Sequence, residues 1–226
     1  MSETTTGGRA RRTRREPDER RDQILACARE LFSRRPYQTV SSTEIAEAAG
    51  VSRGLLNHYF GTKRDLYLAA VRQMMSIPPI PVPPFVAGAS IQERVSQSLD
   101  GWLELLERNR GTWITAMDMM ASGGDPDLGR ILEEARDRAV DRTTEVVGLV
   151  PLAERHPEIR SLLRGFAGMA EATTREWLKH ERLTRAQVHM ILEQTTLDLV
   201  ERVVPRLVAG DPSAAIPDTG GELPSR

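Results

Sequence analysis

The chain has 226 residues, 28% charged and 39% hydrophobic, with a single cysteine, a length that allows one large domain or two small ones with a proper core. No apolar run is long enough to span a membrane, the N-terminal stretch MSETTTGGRARR lacks the apolar segment of a secretory signal, and Cys27 alone excludes an internal disulfide, so the expectation is a cytosolic protein. The net charge of −1 hides an asymmetry: residues 1–72 carry 14 Lys and Arg against 9 Asp and Glu, whereas the rest carry 17 against 23, which points the first third at a polyanion.

In chain order, residues 1–16, with Arg9, Arg11, Arg12, Arg14 and Arg15, read as a basic disordered arm, either simply solvated or touching that polyanion. Ile24, Leu25, Ala28, Leu31 and Phe32 recur at helical spacing, so a first amphipathic helix is expected over about 17–34, with Pro17 in its first turn. Cys27 falls inside it as a packed small residue rather than a nucleophile. Ser41-Ser42-Thr43-Glu44 has the pattern of a capping box and opens a short helix ending at Ala48-Ala49-Gly50. Ser52 caps another helix, and Thr62 a third through Lys63, Leu66, Leu68 and Val71.

Residues 42–60 therefore read as helix, tight Gly50-Val51 turn, helix, the outline of a helix-turn-helix unit. Ile45, Ala46, Ala49, Val51, Leu56 and Phe60 are expected to pack inward against the first helix. Arg53, Gly54, Leu55, Asn57, His58 and Tyr59 are left on the outer face. Donors and a flat aromatic there suit phosphates and base edges; Gly54 permits close backbone approach and Leu55 suits a thymine methyl.

The stretch TVSSTEIAEAAGVSRGLLNHYFGTKRDLY, residues 39–67, resembles the DNA-binding domain of the TetR family of transcriptional regulators (TetR/AcrR-type) over about residues 20–72. The resemblance implies an all-α fold: an N-terminal three-helix helix-turn-helix domain with a connecting fourth helix, and a C-terminal helical ligand-binding and dimerisation domain. It implies that Lys63 grips phosphate from the start of the fourth helix, that Ser41, Ser52, His58 and Tyr59 face the DNA backbone, and that Arg53 and Gly54 read bases. Ser42 and Thr43 join this set beside Ser41. The chain departs from the family at Asn57, usually Tyr, and at Leu55, usually small and polar.

The expected division is an arm over 1–16, the DNA-binding domain over 17–76, an effector and dimerisation domain over 77–208, and a disordered tail over 209–226. Residues 77–89 hold five prolines between 78 and 84 and read as a stiff, extended connection that cannot be helical, either a spacer or a lever or pocket lid. Ser90 with Glu93 opens a helix to about Arg108; Thr112 or Trp113 starts one to Ala121; Asp125-Pro126 begins one to about Val150; Pro157 begins one to near Glu181; Thr184 with Gln187 opens the last, to about Leu207. Trp102, Leu106, Trp113, Met117, Met120, Phe166, Met169 and Trp177 are either the lining of a ligand cavity or ordinary bundle core; the resemblance implies a cavity in this half.

The last two long helices carry apolar stripes, Leu162, Leu163, Phe166, Met169, Ala170 and Thr173 on one, and Val188, Ile191, Leu192, Thr195, Leu199 and Val203 on the other. Gly165, Ala167, Gly168, Ala170 and Ala172 would let helices approach closely. In the family this pair forms a four-helix bundle with a second subunit. An enzyme is the competing class, but none of the four histidines lies in a metal motif such as HExxH, no cofactor motif is present, and Glu176/His180 and His189/Glu193 at i, i+4 read as helix contacts. A helical scaffold protein would leave the charge asymmetry unexplained.

The reading is a non-enzymatic, cytoplasmic, nucleoid-associated transcriptional regulator without cofactor or membrane contact. It is expected to bind a palindromic operator in double-stranded DNA as a homodimer, and to act as a repressor released by a small apolar effector. A TetR-like activator or a ligand-independent repressor is the alternative.

Overall fold

The computed structural model describes residues 17–76, 89–121 and 125–210; the expected arm, nearly all of the proline-rich spacer and most of the tail lie outside them. Among the described residues there are helices and no strands. Helix α1, Pro17–Arg34, is followed by a 3₁₀ turn at Tyr37–Thr39, then α2, Ser42–Ala48, α3, Arg53–Phe60, and α4, Lys63–Ser76. After the spacer come α5, Ile91–Arg108, α6, Arg110–Ala121, α7, Pro126–Val146, α8, Val150–Arg155, α9, Pro157–Leu178, and α10, Arg185–Asp198. A π-helical turn at Leu199–Val203 leads into α11, Val204–Leu207.

Most helix starts follow side-chain chemistry. The hydroxyls of Ser52, Ser90 and Thr184 accept from the backbone N–H groups of Leu55, Glu93 and Gln187, and Asp125 accepts from those of Asp127 and Leu128, filling donors that a helix start leaves open. Ser90–Glu93 and Thr184–Gln187 are reciprocal boxes. The expected box at Ser41 is one-sided: Ser41 Oγ accepts from Glu44 N at 3.1 Å, but the Glu44 carboxylate turns away to Arg35, which also donates to Thr39 O at 2.5 Å. A guanidinium offers two charge-assisted hydrogen bonds where the Ser41 N–H offers one neutral bond.

Several ends differ from expectation. Helix α6 starts at Arg110, earlier than Thr112. Helix α7 stops at Val146 because Gly148 takes a left-handed φ of 74°; its N–H and that of Leu149 bond back to Glu145 O and Thr144 O, the glycine stop of a Schellman turn. The four residues after Val146 therefore do not extend α7, and α8 forms separately. Helix α9 ends at Leu178, short of Glu181, which has φ 54°. The last helix reaches Leu207 only through the π turn.

One apolar core runs through α1–α4 and continues, without a break, into Leu106, Trp113, Ala116, Met117, Leu128, Ile131, Leu132 and Leu178 of the body. At its centre Tyr67 is fully buried. Its ring meets Phe32 edge-on at 5.2 Å and Tyr37 at 4.9 Å, and its hydroxyl donates to Thr112 O at 3.0 Å. Burial pushes the Tyr67 phenol well above its ordinary pKa. A second core joins α5, α7, α8, the start of α9 and Val200, Val204 and Val208 of the π turn and α11 region, and a third holds Leu103, Ala170, Val188 and Leu192. An ion-pair ladder sets the register of α7 on α9: Arg160 with Asp141, Arg164 with Asp137 and Glu133, Arg136 with Glu171.

Helix α6 crosses α1 so closely that a Cβ on Gly111 would lie 2.6 Å from both Phe32 O and Ser33 O. At Gly129 of α7 a Cβ would meet only the Met120 Cε, at 3.7 Å. Gly111→Ala is therefore expected to destabilise by about 1–3 kcal/mol through overpacking against backbone that cannot move alone. Gly129→Ala is expected to stabilise by about 0.5–1 kcal/mol through helix propensity. Denaturant unfolding of both variants checks the opposite signs.

Candidate nucleic-acid interface

The α2–α3 turn is a Schellman closure: Gly50 has φ 63°, its N–H bonds to Glu47 O at 3.0 Å, and Val51 N–H reaches Ala46 O at 2.9 Å. The left-handed φ favours glycine at position 50, and no close contact does, since a Cβ there would meet nothing within 4 Å. Helix α1 fastens the same corner, with Gln23 Nε2 donating to Ala49 O at 3.0 Å and Cys27 Sγ to Ala48 O at 3.5 Å. Burial, then the Glu30 charge, pushes the Cys27 thiol up, the opposite of an activated nucleophile.

Held this way, α3 turns Leu56 and Phe60 into the core and leaves Arg53, Gly54, Leu55, Asn57 and His58 exposed. Ile45, Ala46 and Ala49 are buried as expected and Val51 is half-buried. Tyr59 is outward only in part: it is half-buried, packs one side on the core and meets the His58 ring at 5.6 Å, because its position at the end of α3 lies at the edge of its own domain. The Arg21 guanidinium lies 5.0 Å from the centre of the Phe60 ring, so α1 also closes the far end of α3. Ser41, Thr43 and Ser52 are exposed and Ser42 is half-buried.

Lys63, the first residue of α4, places its ammonium 4.1 Å from the centre of the Tyr37 ring; partial burial lowers its pKa. At the start of α4, Thr62 and Asp65 cap each other: Thr62 N–H donates to Asp65 Oδ2 at 3.0 Å and Asp65 N–H to Thr62 Oγ1 at 3.1 Å. Arg64 beside it reaches the body. Its Nε and Nη2 fork onto Asp125 at 2.7 and 2.6 Å, and Nη2 also bonds Asp127 at 2.8 Å. Because Asp125 caps α7, this one guanidinium ties the start of α4 to the start of α7. Sequence reading passed over Arg64, since its partners lie some sixty residues away and no local spacing announces them.

Residues 24–70 match the family model described as "Bacterial regulatory proteins, tetR family", and residues 91–199 match that of "Tetracyclin repressor-like, C-terminal domain". The chain belongs to the TetR family. It is a DNA-binding transcriptional regulator and not an enzyme. Among curated relatives it is 25% identical over 186 residues to the HTH-type transcriptional activator FasR of Mycolicibacterium smegmatis, covering 78% of this chain and 80% of that protein. It is 39% identical over 57 residues to the HTH-type transcriptional repressor AcnR of Corynebacterium glutamicum, covering 25% of this chain and 30% of that protein. Its fold is shared with a tetR-family regulator from Streptomyces coelicolor, at TM-score 0.73 and 24% identity over 88% of this chain and 93% of that one. A TetR-family structure from Rhodococcus sp. follows at 0.63 and 20%, over 81% and 98%.

In this TetR-family chain the eight body candidates divide between two cores. Leu106, Trp113 and Met117 are buried in the junction core with Met120 against it; Phe166 and Met169 pack on the third core; Trp102 and Trp177 touch both. Trp113 Nε1 and Gln73 Oε1 are buried with no hydrogen-bond partner among the described residues. His189 and Glu193 approach to 3.6 Å, while Glu176 pairs with Arg182 instead of His180. No cluster of three metal-ligating side chains, and no helix long and apolar enough to cross a membrane, occurs among the described residues.

The Arg64 fork holds the Asp125 and Asp127 carboxyls below the usual aspartate range. A depressed folded-state pKa stabilises fully above the unfolded value, near 4, and that stabilisation is lost as pH falls through the folded one. Wild-type protein is therefore expected to lose thermal stability below about pH 4 more steeply than Arg64→Ala, which checks by melting both from pH 7 to pH 2.5.

Proposed function

We propose that this regulator binds a palindromic operator as a homodimer, with α3 in the major groove, and represses until a small, mainly apolar effector releases it. The observation that carries the DNA half is the outer face of α3: Arg53, Gly54, Leu55, Asn57 and His58 are exposed together on a helix anchored at both ends. In this reading Arg53 and Gly54 meet base edges. Ser41, Ser42, Thr43, Ser52, Asn57, His58, Tyr59 and Lys63 meet the backbone, and Leu55, 36% exposed, meets a thymine methyl. The protein then works where the DNA is, on the bacterial nucleoid in the cytoplasm.

The dimer reading rests on α9 and α10. Leu163, Ala170, Val188 and Leu192, counted in the expected stripes, are buried within their own chain. The outward face is offset from them: Gly165, Gly168 and Ala172 are exposed on α9, a Cβ at either glycine would meet nothing within 4 Å, and Met190 on α10 is 56% exposed. Exposed small residues on α9 and an exposed methionine on α10 suit a second copy of the helix pair. Light scattering is expected to give twice the 25.2 kDa chain mass, and Gly168→Glu to give a monomer that loses the palindrome. A wild-type monomer at micromolar concentration, free and on DNA, overturns this.

The effector reading rests on Trp102 and Trp177 bridging two cores, and on the buried, unpartnered Trp113 Nε1, which suits a ligand with one acceptor on an apolar body. Activation is a second reading, favoured by the likeness to FasR over most of both chains; the sign follows from reporter expression with and without the gene.

Two substitutions separate the two chemistries assigned to the DNA face. Lys63→Ala is expected to weaken operator and random duplex alike and to lower the salt slope by about one per contact in each subunit. Arg53→Ala is expected to lose roughly 1–3 kcal/mol on operator only and to relax one base pair per half-site. Equal losses on operator and scrambled duplex for Arg53→Ala would show that it holds phosphate alone.

A further inference from the structure

Between the C-terminal end of α1 and the start of α6 lies an open cleft of about 460 Å³, within the range of small-molecule sites. Three arginines line it, Arg34 at the end of α1, Arg35 directly after it and Arg110 at the start of α6. Ile114 and Met119 of α6 supply an apolar wall, and exposed Gln38 stands on the rim. Asp118 also lines the cleft, but Lys179 Nζ sits 2.5 Å from its carboxylate and matches its charge. The cleft therefore sets three arginines, each held by an exchangeable ion pair, against an apolar side. None of the eight aromatic, leucine and methionine candidates of the body lines it.

We propose that this cleft is a second effector site, selective for a small monocarboxylate with an apolar body. The carboxylate lies among the guanidiniums, whose planar forks match it two bonds at a time, and the apolar part lies on Ile114 and Met119. Each guanidinium already has a carboxylate of the chain: Arg34 has Glu30 at 2.7 Å, Arg110 has Glu181 at 2.7 Å, and Arg35 has Glu44. These pairs are substantially exposed, and exposed pairs contribute little net, so a ligand carboxylate exchanges with them readily. An inorganic anion would leave the apolar wall without a partner.

Arg35 gives the site a consequence. Its guanidinium holds Glu44 of α2 and Thr39 O together, so it fixes the chain that leads into the helix-turn-helix. A carboxylate in the cleft competes with Glu44 for that guanidinium and loosens α2. Operator affinity then changes as far as the ligand binds the loosened and fixed states differently.

The probes are benzoate and hexanoate, with benzamide and hexanamide as neutral counterparts. Calorimetry on the full chain without DNA is expected to show binding of the acids and at least tenfold weaker binding of the amides. Methyl NMR is expected to show the Met119 signal moving with the acids. The Arg34→Gln/Arg110→Gln variant, altered only at exposed side chains, should weaken the acids tenfold or more, and Gln38→Glu should weaken them by repulsion. Phe166→Ala, in the body, should leave their affinity unchanged, and the acids should weaken operator binding by wild type at least threefold. Equal binding of acids and amides, full affinity in both cleft variants, or loss of acid binding in Phe166→Ala overturns the proposal; the last outcome places the acids in the body pocket and leaves the reading of that pocket standing.

Discussion

The contact on which the arrangement depends is backbone against backbone, where α6 passes over the end of α1. With only hydrogen at position 111, the Phe32 and Ser33 carbonyls approach a site where a Cβ would stand 2.6 Å away. That approach brings Thr112 O within reach of the Tyr67 hydroxyl, and the same tyrosine closes the aromatic group formed with Phe32 and Tyr37. A buried phenol without its acceptor would be costly, so the glycine contact and the tyrosine bond support each other. Helices α1, α4 and α6 are thereby held as one packed body, and interiors packed to this density shift in discrete steps instead of deforming smoothly.

From this junction the geometry of the DNA face follows. Helix α1 carries Gln23 and Cys27 to the α2–α3 corner and Arg21 to Phe60 at the end of α3. Helix α4 carries Lys63 over Tyr37 and sends Arg64 to the α7 cap. A movement in the body thus has two routes to α3: through α6 onto α1, and through α7 onto α4. Both run through groups of fixed direction, a backbone crossing and a two-pronged ion pair.

Polar chemistry is concentrated at the same seams. Arg35 and Arg64 bind carboxylates of α2 and of the α7 start, Arg110 binds Glu181 in the α9–α10 connection, and the α7–α9 ladder repeats the device within the body. The Arg64–Asp125 and Arg136–Glu171 pairs have largely buried carboxylates; the more exposed pairs orient helices more than they stabilise them.

The sequence by itself determined the helices and the side of α3 that faces out, because capping hydroxyls, apolar spacing and the Gly50 stop act within a few residues of one another. Ser52, Ser90 and Thr184 cap where their spacing said they would, and Leu56 and Phe60 turn inward. It also carried the family, through the compact pattern of residues 39–67. What only the tertiary structure decided rests on distant partners. Gly111 reads locally as a weak helix former, yet it lies inside α6 because a neighbouring backbone requires its lack of a side chain. Glu44 reads as half of a capping box, yet Arg35 offers its carboxylate two charged donors. The spacing gives α9 and α10 an apolar stripe each without saying which part is covered internally; packing within the chain takes Leu163, Ala170, Val188 and Leu192 and leaves Gly165 and Gly168 exposed. Periodicity states that a helix has an apolar face; which neighbour covers it depends on how the helices cross.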